Sequence, residues 1–218
     1  MPAYCLLLAT GSAVAQSGDV PQLEAGAQFT SLSVNAPRPV FNCCVIYDDE
    51  FLRDRAQGAG GRFVYNLSRY VAVEAEVNFV QEPLIPQPRG RILQGQFGPK
   101  VGWRGRRFGV FAKARPGFVD FSRDSLLVRR KTFTFGGRQY EAGDFRVGHR
   151  PYASADVGGV IEYYPARRIV VRGDVGDTLV RYGRRYYQGY QASRAITESV
   201  PETKHNLQIS IGVGFRFR

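Results

Sequence analysis

At 218 residues and 44% hydrophobic content, the chain is long enough for one folded domain with a sizeable core. No stretch approaches the roughly 18 consecutive apolar residues of a spanning helix. That excludes a helical membrane protein but not a β-barrel, whose strands need only about 9–11 residues with every second one apolar. Thirty basic against 19 acidic residues give a formal charge of +11, while 25 glycines, 15 phenylalanines and 12 tyrosines point to many short strands rather than helices.

The chain opens on an export signal. Leu6-Leu7-Leu8-Ala9 is a short apolar core, and Ala13-Val14-Ala15 is a small-x-small cleavage pattern ahead of Gln16. Residues 1–15 are therefore expected to be a signal peptide lacking its basic start, and 16–218 the mature domain. Cys5 falls in the signal. Cys43 and Cys44 are adjacent, with Cα atoms about 3.8 Å apart, shorter than ordinary disulfide geometry. A strained vicinal bridge, an intermolecular bridge and two free loop thiols all fit the sequence.

Eight segments then alternate with period 2: residues 22–34, 56–67, 70–82, 91–103, 108–121, 151–164, 168–180 and 205–217. The connections alternate in length. Short ones fall at Ser68-Arg69, at 104–107 and at 165–167; long ones cover 35–55, 83–90, 122–150 and 181–204. Such asymmetry predicts an all-β, eight-stranded antiparallel up-and-down transmembrane barrel, with short turns periplasmic and long loops outside. In the longest loop, residues 131–135 and 138–140 flank Gly136-Gly137 and predict a hairpin that lengthens two strands beyond the membrane.

Which parity is apolar decides between a soluble and a membrane barrel. The third segment sets Val71, Val73, Ala75, Val77 and Phe79 against Ala72, Glu74, Glu76 and Asn78. The eighth sets Leu207, Ile209, Ile211, Val213, Phe215 and Phe217 against Asn206, Gln208, Ser210, Gly212, Gly214 and Arg216. In the other six the apolar positions (Leu23/Ala25/Ala27/Phe29, Phe63/Tyr65/Leu67, Leu93/Phe97/Val101/Trp103, Phe108/Val110/Ala112/Ala114/Pro116/Phe118, Ala153/Ala155/Val157/Ile161/Tyr163 and Ile169/Val171/Val175) likewise include no charge. The other parity holds Glu24, Glu74, Glu76, Asp156, Glu162 and Asp174 with Arg62, Lys100, Lys113, Arg115, Arg172 and Arg216.

Six acids matched by six bases, with small residues between, suit a lumen just wide enough to be filled by side chains. A solvated outer face needs no such balance. Tyr65, Tyr70, Trp103, Phe108, Tyr163 and Tyr164 near segment ends are expected to form the aromatic girdle.

With the lumen neutral, the excess positive charge falls on the connections. Arg69, Arg104, Arg106, Arg107, Arg167 and Arg168 lie in the short turns without an acid. Residues 122–150 hold seven bases and three acids, and 181–204 five bases and two acids. Basic outer loops suit the phosphates of lipopolysaccharide or a protein partner, and basic turns suit anionic lipid or a periplasmic polyanion. Plain solvated charge fits equally. Nucleic acid is disfavoured as a partner by export and the apolar exterior.

On these residues the chain resembles the small outer-membrane β-barrel superfamily of the OmpA transmembrane domain, OmpX and OmpW type, over roughly 20–218. The last strand, Leu207-Gln-Ile-Ser-Ile-Gly-Val-Gly-Phe-Arg-Phe217, carries the resemblance most specifically. It implies an alternating terminal strand read by the barrel-assembly machinery, with Phe217 as the terminal aromatic and Phe215 as the outward residue before it. Arg218 departs from the pattern by making the aromatic penultimate. It also implies a lumen of paired carboxylates and Lys or Arg, serving as a plug or a gate.

Chemistry is sparse. The only histidines are His149 and His205, at the outer ends of strands and each five residues from a serine, Ser154 and Ser210. An odd spacing puts each such pair on opposite faces of its strand, so a cross-strand pair is the remaining arrangement, and burial of an ordinary polar histidine at the interface is the expected role. No zinc, dinucleotide, P-loop or HExxH spacing is present, so no cofactor, metal or catalytic residue is assigned. The expected function is a non-enzymatic outer-membrane barrel in a structural or interaction role. A narrow gated channel and a lipid-modifying enzyme are the alternatives.

Overall fold

The computed structural model describes residues 21–42, 45–81, 90–188 and 196–217. The expected signal segment (residues 1–15), Cys43, Cys44 and most of the 83–90 connection lie outside the described residues.

Ten strands form among the described residues: β1 (Leu23–Asn42), β2 (Val45–Asn66), β3 (Val71–Gln81), β4 (Arg91–Arg104), β5 (Phe108–Phe135), β6 (Arg138–Ala166), β7 (Ile169–Tyr182), β8 (Tyr186–Gln188), β9 (Ile196–Glu198) and β10 (Glu202–Phe217). Eight close a barrel in the order β1-β10-β7-β6-β5-β4-β3-β2, every neighbouring pair antiparallel. Strands β8 and β9 pair only with each other, inside the β7–β10 connection. Closure leaves no open edge among the eight, the condition for backbone to cross a bilayer as strands.

The long connections contain more strand than expected. Within the expected loop 35–55, residues 35–42 and 45–55 continue β1 and β2 as a ladder interrupted by one register shift between Arg38 and Val40. The β5–β6 pair runs on to Phe135 and Arg138, through shifts at Phe121/Asp124 and Leu127/Arg129. Gly136 and Gly137 close this hairpin with φ of +58° and +76°, left-handed conformations that a Cβ disfavours. From residue 122 to 135 the ribbon has a contour length of about 40 Å at roughly 3.3 Å per residue.

The wall is apolar outside and polar or apolar inside, depending on height. Phe29, Phe63, Val77, Phe97, Val110, Val157, Val175 and Ile211 stand exposed on the exterior. At the short-turn end Tyr65, Tyr70, Trp103, Phe108, Tyr163 and Phe217 add an exposed aromatic ring. Tyr164, expected in that ring, is instead buried within the lumen, because its parity on β6 is that of Asp156 and Glu162.

Candidate functional site

The lumen is layered along its axis. Nearest the long-loop end, Leu32, Val34, Ala56, Val80, Ile92, Val119, Phe121, Tyr152, Val180 and Tyr182 belong to one buried apolar cluster. Three of its rings meet: Tyr152 lies 4.9 Å from Tyr182 and 5.9 Å from Phe121, centroid to centroid. The Tyr152 hydroxyl donates to Asp124.

This layer was not foreseen. The expected lumen is one of ion pairs with small residues filling much of the rest, yet the same alternation carries Leu32, Val80, Val119 and Val180 inward on four strands. Apolar residues on both faces near a strand end are the signal that could have found it.

Below lies a belt of amides and hydroxyls that crosses the lumen. Gln28 Nε2 donates to Asn78 Oδ1 at 2.9 Å, and Asn78 Nδ2 donates to Gln94 Oε1 at 2.9 Å. Gln94 Nε2 donates to Gln208 Oε1 at 2.8 Å, and Thr178 Oγ1 donates to the same oxygen at 3.0 Å. Gln208 Nε2 and Asn78 Nδ2 both reach Glu76 Oε1, at 3.1 and 2.7 Å, and so join this belt to the charges beneath.

Arg115 centres the ionic layer. Its Nη1 donates to Glu74 at 2.8 Å and to Glu76 at 2.5 Å, and its Nη2 to Asp156 at 2.7 Å. Lys113 bridges Asp156 at 3.0 Å and Asp174 at 2.9 Å. Arg172 grips Glu74 through both nitrogens at 2.6 and 2.9 Å and reaches Asp174 at 3.1 Å. Such two-pronged guanidinium–carboxylate contacts fix geometry as well as charge.

Toward the short turns, Lys100 donates to Glu162 at 2.5 Å. Arg216 Nε lies 3.1 Å from Glu24, and its guanidinium stacks 3.7 Å over the Tyr164 ring. Tyr164 in turn donates to Glu162 at 2.7 Å and accepts from Arg104 Nε at 3.1 Å.

Two corrections follow. Arg104 is not a turn residue: it is 6% exposed and lies 3.5 Å from Glu24 and 3.6 Å from Glu162. It continues the inward parity of Lys100 on β4, which a reading that ended the strand at 103 cut off. Arg62, though buried, has no carboxylate in ion-pair range among the described residues. Its guanidinium instead stands 3.0 Å from where a Cβ on Gly212 would sit, so that glycine makes room for it. On the described barrel strands the buried charge is therefore six acids against seven bases rather than a neutral sum, and Arg104 supplies an ion-pairing cation where Arg62 does not.

The histidines depart from expectation as well. Both are exposed: His149 Nδ1 lies 2.8 Å from Asp120, and His205 Nδ1 lies 2.5 Å from Asp177. No serine or threonine hydroxyl bonds either imidazole among the described residues.

Solved structures superpose on this closed eight-stranded barrel. Neisserial surface protein A superposes with a TM-score of 0.55 at 7% identity, over 89% of this chain and 97% of that one. The outer-membrane protein OprG of Pseudomonas aeruginosa superposes with a TM-score of 0.52 at 11% identity, over 92% and 97%. This chain has the fold of the small outer-membrane β-barrels. No protein-family model and no curated protein sequence matches it. In this up-and-down order the long connections gather at one end of the barrel, where the β5–β6 ribbon projects.

One face of the ribbon aligns Arg129, Lys131, Phe133 and Phe135 with Tyr140 and Arg138 across the pairing. Phe133 and Tyr140 stack at 5.6 Å, and Phe133 and Phe135 remain exposed. Lys131 pairs with Asp144 at 2.7 Å. The β8–β9 hairpin braces the other side of the ribbon, with Arg130 5.1 Å over the Tyr186 ring.

Proposed function

We propose that this chain is a non-enzymatic integral outer-membrane protein with a side-chain-plugged lumen, which acts through its basic extracellular face. The observation that carries the reading is the burial of the luminal charges: Lys100, Asp156 and Glu162 are each 0% exposed. A water column through the barrel would leave such side chains accessible. Solute passage would require breaking ion pairs whose individual loss costs about 3–5 kcal/mol, beneath an apolar layer that excludes ions on its own.

The working surface is then the extracellular ribbon. Seven bases against three acids between residues 122 and 150 give it positive charge, and exposed aromatics sit among them. Lipopolysaccharide phosphates are the anions nearest to such a surface, and a basic residue near an anionic surface contributes about 1 kcal/mol. The test is binding of lipopolysaccharide to the barrel in zwitterionic nanodiscs. Replacing Arg129, Arg130, Arg138 and Arg146 by Gln should weaken binding by about tenfold or more, and raised salt should weaken it for the unaltered protein. Equal binding by both proteins at all salt concentrations would remove the reading.

Phe215 and Phe217, which point outward on β10 with rings 5.1 Å apart, are assigned to the barrel-assembly signal. Lower outer-membrane levels of a Phe217→Ala protein, with normal refolding in detergent, are the expected result. For the enzyme alternative, a His205→Ala strain should show lipid A and phospholipid profiles identical to the parent; a profile that tracks His205 would revive it.

A further inference from the structure

The short-turn end carries a second charged surface that the function proposed above does not use. Arg69, Arg106, Arg107, Arg167 and Arg168 are all exposed there, and no acid lies in the three turns that present them. These turns are not loose. Gly102 N donates to Tyr70 O at 2.8 Å, Tyr164 N to Arg107 O at 2.8 Å, Arg216 N to Arg168 O at 2.9 Å and Asn66 N to Gln22 O at 2.8 Å. Each bond ties a turn or terminus to the neighbouring strand, so the barrel end is one hydrogen-bonded collar.

Within the turns the backbone is held too. Ser68 Oγ accepts from Tyr70 N at 3.1 Å and Val71 N at 3.0 Å, and Gly105 N donates to Phe108 O at 2.7 Å. The five arginines are therefore displayed from a fixed frame rather than from mobile tails.

Their depth is set by the exterior. Immediately on the barrel side of the arginines stand Tyr65, Tyr70, Trp103, Phe108, Tyr163 and Phe217, each 40% or more exposed. Amphipathic aromatics of this kind settle at headgroup level. Guanidinium groups one step beyond them lie at the plane of the lipid phosphates, and Arg69 already rests 5.7 Å over the Tyr70 ring. Arginine suits this position because its planar fork matches a phosphate with two N–H bonds at once.

We infer that the arginine collar at the short-turn end binds the phosphodiester headgroups of anionic phospholipids in the periplasmic leaflet. The inference rests on the membrane orientation proposed above. It predicts that the barrel gathers phosphatidylglycerol or cardiolipin around one end and ignores zwitterionic lipid of the same chain length. Anionic lipid retained there would hold the barrel at a defined depth.

The test is native mass spectrometry of the full chain released from nanodiscs of phosphatidylethanolamine with one-fifth phosphatidylglycerol or cardiolipin. The unaltered protein should retain anionic lipid in clear excess over its share. A protein with all five arginines replaced by Gln should retain at least about tenfold less, and one with all five replaced by Lys an intermediate amount, since charge is kept but the two-pronged contact is lost.

Heat-dependent gel mobility establishes that each variant is a folded barrel. Should the Gln protein misfold, single-turn variants (R106Q/R107Q and R167Q/R168Q) provide the comparison, each expected to lose part of the retention. Retention equal to the unaltered protein in the folded Gln variants would overturn the proposal, as would no preference for anionic lipid. A preference for soluble polyphosphate with none for anionic lipid would also overturn it. Failure of the unaltered protein to enter nanodiscs at all would count instead against the membrane orientation.

Discussion

Replacing Arg115 by Met removes the node of the ionic layer while keeping most of its volume. Arg115 contacts Glu74, Glu76 and Asp156, and its side chain is fully buried. The three carboxylates do not suffer equally. Glu74 keeps Arg172 at 2.6 Å, and Asp156 keeps Lys113 at 3.0 Å. Glu76 has Arg115 as its cation among the described residues and would keep only the amides of Asn78 and Gln208. A buried charge that loses its partner costs about 3–5 kcal/mol.

Arg115→Met should therefore destabilise the barrel by about that amount, and most of the loss should trace to Glu76. A second change, Glu76→Gln, removes the orphaned charge and keeps the amide contacts. The double variant should regain about 0.5–3 kcal/mol over the single one, the coupling range of residues in direct contact. Urea unfolding in detergent micelles, followed by the gel shift between folded and unfolded barrel, measures both. Arg115→Met within about 1 kcal/mol of the parent, or a double variant no more stable than the single one, would refute the reasoning.

Other consequences are equally open to measurement. Phe121→Ala, which hollows the apolar layer beside Tyr152 and Tyr182, should cost about 3–5 kcal/mol in the same unfolding assay. Ile211→Arg places a charge midway along the exposed apolar face of β10. It should cost about 2–4 kcal/mol of barrel stability in lipid vesicles, with lower insertion yield. Planar-bilayer recordings of the unaltered protein should show no steady conductance across voltage and salt, and regular unitary steps would establish a pore.

Most of the architecture was legible because a barrel wall repeats one rule. Period 2 placed Glu74 and Glu76 inside and Val77 and Phe79 outside on β3, and the same parity held on every strand that closes the barrel. What was missed lies where strand ends were set too short or one parity was given a single character. Ending β4 at Trp103 moved Arg104 into a turn and misplaced one charge of the lumen.

Assuming a uniformly polar interior hid the apolar layer around Phe121 and Tyr182, since alternation shows which residues share a face but not how the face changes with height. Exact ion pairs were out of reach for a related reason. Glu74 meets Arg172 across the lumen, not across a strand pair, and only closure of the barrel brings β3 opposite β7. The ladder over residues 35–55 was obscured by Pro37, Arg38 and Pro39, which read as loop.

The central claim is that the apolar wall faces lipid, and the chain carries its own reporter for it. Trp103 is the single tryptophan and stands on the exterior, 56% exposed, in the ring of aromatics near the short turns. In vesicles, its fluorescence should be quenched strongly by lipids brominated along the acyl chain and only weakly by aqueous iodide. Strong quenching by iodide, with no response to brominated lipid, would contradict the account.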